Sequence, residues 1–158
     1  MFAEYSANAL QIIQPGAAAI FTNTPVKERR GLIYHRDETG IFRLASPSIL
    51  GCRPRRNCCC GDLPFANYLV SFSGNISVPT GGTVGEIELA IGIGGVEDPS
   101  STMVFTPAAV DVAGNVSTTI GVQVPWICRC ESISVINTSD QTIQMENANL
   151  VIDYRGVN

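Results

Sequence analysis

The stretch GCRPRRNCCCGDLP, residues 51–64, gathers Cys52, Cys58, Cys59 and Cys60 around Arg53, Arg55 and Arg56, and the two remaining cysteines are Cys128 and Cys130. Thiols in such density hold a metal, exchange electrons or cross-link chains. A zinc knuckle offers Cys-x2–4-Cys, so that two thiolates reach one ion at about 2.3 Å. Adjacent cysteines and the Cys128-x-Cys130 pair do not match it, because neighbouring side chains diverge in extended chain. A thioredoxin-like centre needs Cys-x-x-Cys at a helix start, which is absent. A four-thiolate site from Cys52, one of Cys58 to Cys60, Cys128 and Cys130 stays open, as do free thiols. The even count, with no catalytic partner required, favours a covalent staple, and the sequence does not choose the connectivity. The expectation is of no metal and no cofactor. The flanking arginines lower thiol pKa and ease oxidation; they also suit an anion or an acidic patch on a neighbouring protein.

Other chemistry is thinly supplied. The single histidine, His35, lies between Tyr34 and Arg36 in a stretch with strand character, and nothing in the sequence brings a nucleophile to it. Glu86 and Glu88 fall on one face of an alternating segment whose other face carries Ile87, Leu89 and Ile91, so they read as a solvated pair rather than glycosidic acids. Asp98 and Asp111 sit near turns without calcium-loop spacing. GIGG at 92–95 has no helix behind it to hold a phosphate. No enzymatic activity is expected.

The elements that must position these groups are strands. Strand-like runs recur about every ten residues, bounded by turn chemistry. They cover 9–13, 17–24, 31–36, 40–45, 67–78, 83–93, 101–110, 115–124, 131–137 and 141–154. The clearest alternation puts Tyr68, Val70 and Phe72 on one face and Leu69, Ser71 and Ser73 on the other. No convincing amphipathic helix is present. So many short antiparallel strands in one domain are best accommodated as an all-β, two-sheet jelly roll. Residues 1–8 are expected to form an arm, 9–158 a single domain, and 51–64 a long irregular loop.

Composition narrows the class further. The chain has 158 residues, 45% hydrophobic and only 15% charged, against the usual charged share of about 25%. So little charge leaves a small surface suited to free solvation and favours an oligomer. A net charge of −4 gives no general pull toward nucleic acid, and neither the 53–56 arginines nor KERR at 27–30 has interleaved stacking aromatics. No window approaches the roughly 20 apolar residues of a membrane span. The N-terminus lacks a basic n-region, so no secretory signal is expected.

The motif order carries a resemblance. GLIYHRDETGIFRLA, then YLVSFSGNISVPTGGTVGEIELAI, then TPAAV and NVSTTIGVQVP, a cysteine-bearing turn, ISVINTS and ANLVID resemble the small jelly rolls of the tumour necrosis factor and complement-head type, in particular short bacterial and prophage versions. The similarity spans about residues 9 to 154. It implies a tight homotrimer with a structural or adhesive surface role. On that basis Tyr68, Phe72, Leu150 and Ile152 are expected in a trimer core. Residues 1–8 and 51–64 are expected to contact a particle. The fold type also lets the 52–60 loop and the 128–130 turn approach one end, where bridges are plausible; the cysteine-rich loop itself is not required by that family pattern. The function implied is a decoration or head-fibre component of a phage virion, made in host cytoplasm, with other virion or surface-layer proteins as partners. The alternative is an adhesive or glycan-binding head on a fibre, spore or cell, with Trp126 as a small sugar platform.

Overall fold

Alternating apolar residues become two antiparallel sheets in the computed structural model, which describes residues 1–36, 38–47, 65–125 and 130–157. Its strands are β1 (Phe2–Ala7), β2 (Gln11–Ile13), β3 (Asn23–Val26), β4 (Ile33–His35), β5 (Phe42–Ala45), β6 (Phe65–Ser77), β7 (Ile87–Ile93), β8 (Val96–Glu97), β9 (Met103–Phe105), β10 (Gly114–Pro125), β11 (Cys130–Asn137) and β12 (Ile143–Val157). One 3-10 turn, Pro99–Ser101, precedes β9. The first sheet runs β10-β6-β12-β1-β3, with β2 also paired to β12; the second runs β4-β5-β11-β7-β8, with β9 paired to β7. This is the two-sheet jelly roll expected from the strand pattern.

The core lies between the sheets as one cluster, including Tyr5, Phe21, Phe42, Tyr68, Phe72, Ile91, Ile133, Leu150 and Ile152. In β6 the alternation holds residue by residue: Tyr68, Val70 and Phe72 point inward, while Leu69 is exposed and Ser71 and Ser73 are half-buried. In β7, Ile87, Leu89 and Ile91 are buried and Glu88 is partly exposed. The β7–β8 hairpin turns at Gly94 and Gly95, both with positive φ (62° and 82°), the conformation a tight hairpin turn demands.

Three expectations need correction. Residues 2–7 are not a free arm: β1 lies inside the first sheet, paired with β12 from Phe2↔Asp153 to Ala7↔Ala148 and with β3 on its other side. Its inward residues Ala3, Tyr5 and Ala7 are buried, but two alanines make a weak apolar alternation. Tyr68, Phe72, Leu150 and Ile152 are buried inside the single subunit, so they form its own core and present nothing to a neighbouring copy. Finally, 17–22 is not a strand. It crosses from one sheet toward the other, making a single bridge from Ala18 to Ile136 while burying Ala19 and Phe21.

Candidate functional site: the basic β3–β4 cleft and the cysteine end

Cys52, Cys58, Cys59, Cys60, Cys128, Arg53, Arg55, Arg56 and Trp126 lie outside the described residues. What is described is where their segments are anchored. Cys130 opposes Ala45, and Pro125 opposes Phe65. The chain leaves β5 just after Ala45 and returns at Phe65; it leaves β10 at Pro125 and returns at Cys130. Both cysteine-bearing segments therefore hang from paired strand ends. Cys130 itself is exposed and carries a free thiol. Among the described residues no group of three or more His, Cys, Asp or Glu side chains is gathered.

The other candidate is a cleft of about 580 Å³ lined by Tyr5, Thr24, Lys27, Ile33, Tyr34, His35 and Arg36. It lies where the sandwich opens between β3 and β4, the edge strands of the two sheets. The backbone around it is pinned by Glu28. That side chain is buried, and its carboxylate accepts from the backbone N–H groups of Arg30, Leu32 (2.8 Å) and Ile33 (3.4 Å). Burial pushes the Glu28 carboxyl up, but these bonds and one from Gly31 outweigh it and hold the group below the usual carboxylate range. From the core side, the Tyr68 hydroxyl lies between the carbonyls of Leu32 (3.3 Å) and Ala45 and donates its one hydrogen there. Burial, with Tyr154, Glu28 and Cys130 adding, pushes its phenol pKa well up.

With Glu28 turned inward, Lys27, Arg29 and Arg30 are left exposed on the same loop. Arg36 and Arg43 are exposed nearby, and Arg43 pairs directly with Tyr34 across β4 and β5. Tyr34 is 60% exposed. His35 is built into the wall. Its ring stacks on Phe42 (centroids 4.3 Å apart, 15°) and meets the edge of Tyr5, while Nε2 donates to the Thr39 carbonyl at 2.9 Å. Nδ1 is buried and has no partner among the described residues. Neither nitrogen is presented to a substrate. The sequence marked His35 and KERR individually. The burial of Glu28, which converts a mixed run into a cationic surface, had no local signal.

The outer face of the first sheet is the third feature. Along β6 it shows Asn67, Leu69, Ser71, Ser73 and Asn75, and along β10 Asn115, Ser117, Thr119, Gly121 and Gln123, none charged. Side chains bond across it: Thr119 to Ser71 at 3.0 Å, Gln123 to Asn67 at 3.0 Å and Asn115 to Asn75 at 3.1 Å. A separate apolar groove of about 390 Å³ runs along β2 and the 17–22 crossing, with Leu10, Ile12 and Ile20 exposed at 55%, 52% and 45%.

The topology identifies the class. The chain has the jelly-roll fold of the tumour necrosis factor and complement-head proteins. The globular domain of zebrafish complement 1qA superposes with a TM-score of 0.57 at 11% identity, covering 99% of this chain and 98% of that one. The Eiger TNF of S. frugiperda gives 0.61 at 9% identity, covering 96% and 90%. At such identities the likeness concerns the fold alone. A family 35 carbohydrate-binding module from Clostridium thermocellum aligns over 96% of this chain at a TM-score of only 0.39, and no ligand is inferred from it. No protein-family model and no curated protein matches the sequence.

Proposed function

We propose that this chain is a non-enzymatic, homotrimeric building block of a particle surface, a decoration or head-fibre component of a phage virion. The observation that carries the reading is the uncharged outer face of β6 and β10. Protein interfaces are depleted of charge at their centres, and a chain with this much uncharged flat surface is suited to cover it with a copy of itself. The apolar groove at Leu10, Ile12 and Ile20 is a second, different surface. Two unlike surfaces that fit each other make a head-to-tail contact, which closes into a ring when the rotation allows. The fold's likeness to complement and TNF domains is consistent with that assembly. The way His35 is tied into the wall supports a structural rather than hydrolytic role. The paired anchors of the two cysteine segments support a staple at that end.

Native mass by light scattering tests the assembly: three chains are expected. Thr119→Arg on the face and Ile12→Arg in the groove should each give monomers. Mixed together they should give a mass of two chains, because each variant keeps the surface the other has lost. A monomeric parent protein, or full-size assemblies of either variant alone, overturns the trimer. Mass spectrometry of purified particles from the source strain tests the virion role, and absence of the chain from them overturns it.

A further inference from the structure

The cleft between β3 and β4 combines features that a trimeric building block does not need. Its wall holds two cations, Lys27 and Arg36, and no carboxylate among the described residues. Among the described residues the ion pairs join only Met1 and Arg155 to Asp153, and none of them involves either cation of the cleft. Of the acids flanking these cations in sequence, Glu28 spends its oxygens on backbone N–H groups and is buried, and Asp37, next to Arg36, lies outside the described residues. Glu38, at the tip of the next hairpin, is exposed and does not line the cleft. The result is a cationic pocket on a chain whose net charge is −4. Beside these charges stands Tyr34, largely exposed and held on a strand whose partner presents Arg43. Thr24 adds a hydroxyl to the rim. The back of the cleft is rigid, since His35, Phe42 and Tyr5 are packed ring on ring.

We propose that this cleft binds an acidic saccharide, with its oxyanion held by Lys27 and Arg36 and its ring lying against Tyr34. Guanidinium and ammonium donors recognise carboxylate and phosphate by charge-assisted hydrogen bonds. A tyrosine supplies a flat, rigid apolar surface with a polar tip at low entropic cost. A volume of about 580 Å³ lies within the range of small-ligand sites and takes one or two sugar units. The oxyanion is a carboxylate of a uronic acid or a phosphate of a phosphorylated sugar, which share the chemistry the cleft offers.

The test is calorimetric titration of the full chain with glucuronic acid, glucose 6-phosphate, glucose and inorganic phosphate. At least one acidic sugar should bind saturably and more weakly as salt is raised. Whichever of the two binds more tightly names the oxyanion. Glucose should bind at least about tenfold more weakly than that sugar. Lys27→Ala combined with Arg36→Ala should weaken acidic-sugar binding at least about tenfold; because both side chains are exposed, the melting temperature should hold. Tyr34→Ala should weaken the acidic sugar while leaving inorganic phosphate unaffected. Failure of both acidic sugars at millimolar concentration overturns the proposal, as does equal binding of glucose. An unaltered affinity in the folded double variant overturns it too. None of these outcomes depends on the mass of the assembly, so this inference and the trimer stand or fall separately.

Discussion

The side-chain amide of Asn137, at the end of β11, donates to the carbonyl of Ile13 in β2 at 3.0 Å, tying the second sheet to the first. The same amide donates to the Gln141 carbonyl at 2.9 Å, and its oxygen accepts from the Ser139 N–H at 2.9 Å. Asn137 is fully buried, and its backbone bonds to Gly16 and Ala17. One side chain thus satisfies three polar groups at a corner where two turns and two sheets meet.

Asn137→Ala strands those groups away from water. The expected loss is about 3 kcal/mol, since a buried group left without its partner costs about 1–3 kcal/mol. Urea unfolding should show a lower midpoint with an unchanged slope, and a loss under about 0.5 kcal/mol would mean water replaces the amide.

Gly40 is needed for space rather than for backbone freedom. A Cβ there would lie 2.4 Å from the Ala19 carbonyl oxygen and 2.7 Å from the Ala18 Cβ, both on the crossing segment. Gly40→Ala should therefore cost about 1–3 kcal/mol, as overpacking does. Gly85→Ala, whose nearest atom is 4.0 Å away, should stay within about 0.5 kcal/mol of the parent.

Acid should expose the role of Glu28. Its folded carboxyl is held below its ordinary value of 4.5, so its contribution is fully present above that pH and fades as pH falls toward the folded value. Glu28→Gln should melt below the parent at pH 6 to 8, with the gap narrowing progressively below about pH 4.5. A gap constant down to pH 3 would assign the effect to shape rather than charge.

Phe72→Ala and Leu69→Arg separate core from surface on opposite faces of β6. Phe72 is buried in the subunit and should cost about 3–5 kcal/mol on truncation. Leu69, 37% exposed on the uncharged face, should leave the isolated subunit folded and lower the assembly mass instead. Circular dichroism melts and light scattering on both variants check this, and the opposite pattern would return Phe72 to an interface.

The strands that alternate strongly were readable: β6 and β7 follow their inward and outward assignments because large apolar residues mark one face. β1 was not, since Ala3 and Ala7 are too small to mark a face and its partner β12 stands at the opposite end of the chain. The run 17–24 reads as a strand by composition, yet the crossing uses Ala19 and Phe21 as plugs between sheets. His35 was legible as a strand histidine with no catalytic partner, while its packing against Phe42 and Tyr5 was not. The basic cleft was not, because it depends on where Glu28 points, and that is set by backbone N–H groups up to five residues later.

The pairing of β1 with β12 also orders the birth of the molecule. β12 sits in the middle of the first sheet, between β6 and β1, so neither neighbour can find its place until residues 143–157 have left the ribosome. Until then β1 and β6 each keep one edge open beside apolar residues, even with β3 and β10 on their other sides, the state in which chains pair with the wrong partner. Such non-local closure makes folding slow. While that wait lasts, the serines and asparagines on the outer face of β6 keep that side of the strand wettable.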